Sequence, residues 1–145
     1  DHIARESLHK NITSISGVPS WMLSVLQRVI ELSGKDNLAE VWPNLEVFFH
    51  GGIAFTPYRE LYQQLLPTPS MHYMETYNAS EGFFGLQDDP NDAAMLLMLD
   101  YGVFYEFIPL EEVDSTDPTI LPLWAIEVVA TMPCSLRLPA DFGAI

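Results

Sequence analysis

Ser80 and Glu81, followed by Gly82, set a hydroxyl and a carboxylate side by side after the strand-like run 71–77. A hydroxyl so placed can donate to a phosphate oxygen, and the adjoining carboxylate can ligate a Mg²⁺ that bridges phosphates. Tyr77 supplies a ring for a flat base, and Asn78 lies between them in the same segment. Earlier in the chain another strand-like run, 45–49, ends in His50-Gly51-Gly52, where two glycines allow a backbone to approach a planar ligand closely. The same residues also suit an ordinary strand-to-loop junction that binds nothing. Residue type and spacing leave both readings open.

Other chemistries find less support. The four histidines stand at positions 2, 9, 50 and 72 without metal-ligand spacing. His50 fits either as polar lining beside the glycines or as a hydrogen-bonded structural histidine. Ser80 follows Asn78-Ala79, so there is no Gly-x-Ser-x-Gly turn, and no lysine-bearing phosphate loop occurs. One cysteine, Cys134, excludes a disulfide framework and a cysteine zinc site. Asn11-Ile12-Thr13 and Asn78-Ala79-Ser80 match glycosylation sequons, which without a secretory signal are read as chance. Trp21, Phe55 and Tyr105 are pocket candidates on aromatic character alone.

The elements that position these residues can be read in outline. Residues 1–11 predict a short helix. Pro19 suits the first turn of a second helix and Gly34 its C-terminal cap, with Val18, Trp21, Met22, Val25, Leu26, Val29 and Ile30 as one apolar face. Residues 45–49 predict a strand. Thr56 as N-cap and Pro57 at the first helical position then predict a helix that runs to Leu66 and stops before Pro67. Residues 71–77 predict a second strand, ending in a loop at 78–81. Strand, helix, strand at that length is a βαβ unit with parallel strands. Both loops then lie on the carboxyl edge of the sheet, where open α/β sheets bind ligands. Residues 83–86, 95–99 and 103–108 predict further strands, with a turn at Asp100-Tyr101-Gly102, and 123–126 predicts another. The fold class is therefore α/β, a parallel βαβ core with additional β-hairpins.

Charge restricts the partners. The 145 residues carry a net charge of −14, and no Lys or Arg occurs between Arg59 and Arg137 while thirteen Asp and Glu do. Such a surface repels phosphate backbones and anionic membranes, so neither nucleic acid nor membrane is expected as a partner. Acidity can simply keep a cytoplasmic protein in solution; alternatively, some carboxylates hold a hard divalent cation. No apolar run approaches the roughly 20 residues that span a bilayer.

At Tyr77-Asn78-Ala79-Ser80-Glu81-Gly82-Phe83-Phe84-Gly85 the sequence resembles the auxin-responsive Gretchen-Hagen family of acyl-acid amido synthetases, and the bacterial members more than the plant ones. Val41-Trp42-Pro43-Asn44-Leu45, Phe49-His50-Gly51-Gly52 and residues 98–109 fit the same family, so the resemblance covers about 5–127. It implies a slice of an adenylate-forming enzyme's large N-terminal domain. Such enzymes activate a small carboxylic acid with ATP and Mg²⁺, then pass the acyl group to an amino acid. By position, Tyr77 would line adenine, Ser80 would contact the α-phosphate, Glu81 would ligate Mg²⁺, and Gly51 and Gly52 would form the glycine turn beside the adenine.

The family's upstream phosphate loop, its Tyr-Arg-x-Gly-Asp ribose motif and its mobile C-terminal domain have no counterpart here. The chain also opens at Asp1 without a Met. These departures predict a central fragment that is inactive alone, whose exposed sheet edges favour self-association. Residues 128–145 fit nothing in the family, yet 130–134 and 141–145 permit family-like residues in another reading frame. We therefore expect 1–127 to be a partial adenylate-forming domain and 128–145 a frameshifted tail. The competing expectation is a non-catalytic acidic interaction or regulatory domain derived from such an enzyme.

Overall fold

Two βαβ units follow one another at the start of the chain. The computed structural model describes residues 1–126 and 137–138. After a short α1 (His2–Ser7), the elements are β1 (Ser14–Gly17), α2 (Pro19–Ser33), β2 (Val47–His50), α3 (Arg59–Leu65) and β3 (His72–Ala79). Next come β4 (Gly82–Leu86), β5 (Met95–Leu97), β6 (Glu106–Phe107), β7 (Leu121–Pro122) and β8 (Arg137–Leu138). One sheet has the order β1-β2-β3-β4-β5-β8, and β6 pairs with β7 in a separate ribbon. β1, β2 and β3 are mutually parallel, while β4, β5 and β8 continue the sheet antiparallel. The α/β class and the parallel βαβ core are as the sequence predicts.

Successive right-handed crossovers along one direction put α2 and α3 on the same face of the sheet. There Leu26 and Val29 of α2 join Phe48 of β2 and Tyr62 of α3 in one core with Leu38, Trp42 and Leu45, all fully or nearly fully buried. Tyr62 stacks on Phe48 at 4.8 Å between ring centroids and donates its hydroxyl hydrogen to the Pro19 carbonyl oxygen at 2.8 Å, which joins the two helices. Trp42 Nε1 donates to the Ser7 carbonyl at 3.0 Å and fixes the end of α1 to this core.

Several expectations change. Trp21 leaves the apolar stripe of α2 and stands 76% exposed on its first turn, because Leu26 and Val29 set the buried direction. A four-residue strand at Ser14–Gly17 is added, since β2 offers a parallel edge to it. Thr56 makes no side-chain cap; it opens a 3-10 turn, Thr56–Tyr58, that leads into α3. β3 runs through Asn78 to Ala79, because β4 pairs back onto it, so the loop expected at 78–81 shrinks to Ser80 and Glu81. Residues 103–108 do not fold back on β5: only Glu106–Phe107 is strand, and it pairs with Leu121–Pro122. Residues 123–125 form a 3-10 turn rather than a strand. The expected boundary after Glu127 and the frameshifted tail lie outside the described residues, except that Arg137–Leu138 adds the strand β8 to β5.

Candidate functional site

The parallel register puts Gly17, His50 and Glu75 at one level, the carboxyl edge of the three strands. Gly51 continues along β3. A Cβ built there would lie 2.2 Å from the Thr76 carbonyl oxygen and 2.9 Å from its Oγ1, so the residue must be glycine for the two backbones to meet. Thr76 Oγ1 donates to the His50 carbonyl at 3.2 Å and closes the same junction. Gly52 then turns the chain with φ +82°, beside Val18 at the start of α2. The glycine pair is therefore held against β3 directly before Tyr77.

β3 outruns its neighbour. From Glu75 to Ala79, at about 3.3 Å per residue, it projects roughly 13 Å beyond the level of His50. Tyr77 lies opposite Gly85 and its ring meets Phe84 at 5.3 Å; Asn78 lies opposite Phe83 and is exposed. Ser80 and Glu81 form the exposed tip of the hairpin that joins β3 to β4. The structure thus brings Gly51 and Gly52 to the segment that leads into Tyr77 and holds Ser80 and Glu81 farther out on the same arm. One carboxylate with a neighbouring hydroxyl suits a Mg²⁺ that arrives on phosphates, since that ion keeps few protein ligands. Among the described residues no group of three His, Cys, Asp or Glu could hold a metal by itself.

Beneath this edge lies a feature absent from the sequence reading. His50 is buried, stacks on Phe55 at 4.1 Å, and its Nδ1 has no hydrogen-bond partner. It is therefore a core histidine, but one whose hydrogen bonding is incomplete. Burial, and then the Arg59 guanidinium, hold its pKa down at about 4, so the imidazole is neutral at physiological pH. Arg59 lies over the rings of Phe55 and Tyr73, at 5.1 and 5.7 Å. Tyr73 has a buried hydroxyl without a partner, and burial raises its pKa. A signal existed: Arg59 is the sole Lys or Arg between Lys35 and Arg137, four residues after Phe55 in a helical segment.

The other pocket candidates disperse. Phe55 belongs to the buried ring cluster, Trp21 is exposed on α2, and Tyr105 is half-buried with its hydroxyl donating to the Met98 carbonyl at 3.2 Å. An open groove of about 520 Å³ lies between α1 and α2, lined by Ile3, Ala4, Val25 and Arg28 among others. It shares no residue with the carboxyl edge.

Residues 1–71 match the GH3 family N-terminal domain. The matched segment carries α1 through α3 and the Gly51-Gly52 turn, and it ends just before β3. It supports the GH3 family, which includes auxin-responsive acyl-acid amido synthetases. A search of curated proteins finds no match to the chain. No helix among the described residues is long and apolar enough to cross a membrane.

Proposed function

We propose that this chain is a segment of an ATP-dependent acyl-acid amido synthetase of the bacterial type. The GH3 N-terminal match over 1–71 carries the reading, because it covers β2, α3 and the Gly51-Gly52 turn, which abuts the following strand β3 that bears Tyr77. In the intact enzyme a carboxylic acid would attack the α-phosphorus of ATP, releasing pyrophosphate, and an amino acid's amine would then displace AMP. Tyr77 would line the adenine beside Gly51 and Gly52, with Asn78 next to it. Ser80 would donate to the α-phosphate, and Glu81 would hold the Mg²⁺ that arrives with the nucleotide. That ion supplies charge neutralisation at the phosphates when bound. Donors fixed on a hairpin arm stabilise developing charge without reorganising at the moment of reaction. The segment is read as cytoplasmic and as inactive alone, because the remaining phosphate and ribose contacts would come from elsewhere in the enzyme.

A second reading, a non-catalytic interaction domain derived from the enzyme, draws on one observation: the exposed apolar face of the β6–β7 ribbon. Titration of the ¹⁵N-labelled chain with ATP and Mg²⁺ separates the two. Saturable shifts at Gly51, Gly52, Tyr77, Ser80 and Glu81, weak but localised, support the nucleotide edge. Shifts absent there, in a well-dispersed spectrum, favour the second reading.

A further inference from the structure

The β6–β7 ribbon turns its apolar side outward. From 103 to 109 exposure alternates: Phe104, Glu106 and Ile108 are exposed, whereas Val103, Tyr105, Phe107 and Pro109 are half-buried. The half-buried side faces the sheet, where Tyr105 bonds the Met98 carbonyl and Val103 lies against Gly82. The register pairs Glu106 with Pro122 and Phe107 with Leu121. Residues paired across an antiparallel ribbon share a face, so Ile120 joins Phe104, Glu106 and Ile108 on the outer one. Trp124 follows in the next turn. Phe104 is 77% exposed, Trp124 84%, Ile120 56% and Ile108 43%. A half-solvated ribbon normally shows the reverse alternation, polar outward. Contiguous exposed apolar surface of this kind marks an interaction site.

We infer that the outer face of this ribbon docks an apolar segment of a partner carrying one Lys or Arg opposite Glu106. Charge decides the occupant. The face is apolar around a single carboxylate, its flanking loops add Glu111, Asp114 and Asp117, and no Lys or Arg occurs from 60 to 136. A second copy of this chain would bring the same patch, since two-fold contacts are isologous, and would set Glu106 near its own symmetry mate in a chain of net charge −14. A cationic apolar segment instead covers the rings and neutralises the carboxylate as water leaves. The surface lies outside residues 1–71 and shares no residue with the proposed nucleotide edge.

The test uses the whole chain and two labelled synthetic peptides of Leu, Trp and Thr, identical except for a central Lys or Glu, read by fluorescence anisotropy. The Lys peptide should bind saturably and at least about tenfold more tightly than the Glu peptide, the scale of a close charge pair at an interface. Phe104→Ser and Trp124→Ser, both exposed and outside the core, should each abolish binding. Glu106→Gln should remove the preference for Lys, whereas Glu60→Gln, exposed on α3, should leave it intact. Equal affinity for the two peptides, binding indifferent to Trp124→Ser, or no saturable binding would overturn the proposal. So would sedimentation showing a dimer that Phe104→Ser dissolves, which would assign the face to a second copy.

Discussion

Replacing Gly51 by Ala tests the junction on which the candidate site rests. The added methyl would lie 2.2 Å from the Thr76 carbonyl oxygen, 2.9 Å from Thr76 Oγ1 and 3.3 Å from the Thr76 carbonyl carbon. The first and third are backbone atoms of β3, so no flexible side chain can yield; the β2–β3 junction itself must open. Overpacking of a well-filled site costs about 1–3 kcal/mol, and a backbone obstacle places Gly51→Ala at the upper end, about 3 kcal/mol. For a chain of this length that corresponds to a fall in Tm of roughly 6–12 °C. Gly52→Ala provides the comparison. Its new methyl would meet only Val18 Cγ2 at 3.4 Å, ordinary contact, so its cost comes from the left-handed backbone, about 1–2 kcal/mol. Urea denaturation of wild type and both variants at one pH measures the two losses. A Gly51→Ala chain within about 0.5 kcal/mol of wild type, or one more stable than Gly52→Ala, would refute the close approach of β2 and β3.

The ring cluster and the buried Gln87 amide yield three further expectations. His50 has its pKa lowered from 6.5 to about 4, so the unfolded chain binds its proton first as pH falls; the associated stability is present above pH 6.5 and lost progressively down to pH 4, about 3 kcal/mol in all. His50→Phe should therefore gain about 2 kcal/mol relative to wild type between pH 8 and pH 5, as checked by paired denaturation curves; parallel curves would contradict the buried neutral imidazole. Arg59→Met should cost about 0.5–1 kcal/mol through the lost cation–π contacts and move the His50 titration upward, as followed by its ring-proton resonances. Gln87→Ala should cost about 1–3 kcal/mol, because its amide accepts from the Glu75 N–H and donates to the Asp89 and Asp92 carbonyls; faster hydrogen exchange at Glu75 checks it.

What could be read in advance followed from local chemistry. Proline at 57 and the glycine pair at 51–52 bracketed β2 and α3, and the β2–α3–β3 unit emerged with parallel strands as expected. Gly34 closes α2 in the left-handed conformation, φ 67°. β1 was illegible because Ser14-Ile15-Ser16-Gly17 holds one apolar side chain; its strand character comes from the edge of β2, a tertiary partner. The reach of β3 to Ala79 was hidden for a similar reason, since Ser80-Glu81 lacks the Asn-Gly or Asp-Gly signal of a two-residue hairpin. Residues 103–108 alternate as a strand should, but periodicity does not name a pairing partner, and 121–122 won over β5. At the candidate site, residue type alone singled out Gly51, Gly52 and Tyr77, and the structure sets the glycine turn against the strand that bears Tyr77. His50, Arg59 and Tyr73 meet only through the packing of α3 on the sheet, so sequence spacing marked the pair Phe55 and Arg59 at most.

The central claim is adenylation at the edge that carries Tyr77, Ser80 and Glu81. The direct measurement is ATP–pyrophosphate exchange by a longer protein that contains residues 1–126 of this segment, across a panel of carboxylic acids. The account predicts exchange that requires an acid and Mg²⁺ and is lost in Glu81→Ala while the fold is retained. Exchange that survives Glu81→Ala undiminished, or no exchange with any acid by a protein that folds, would contradict it.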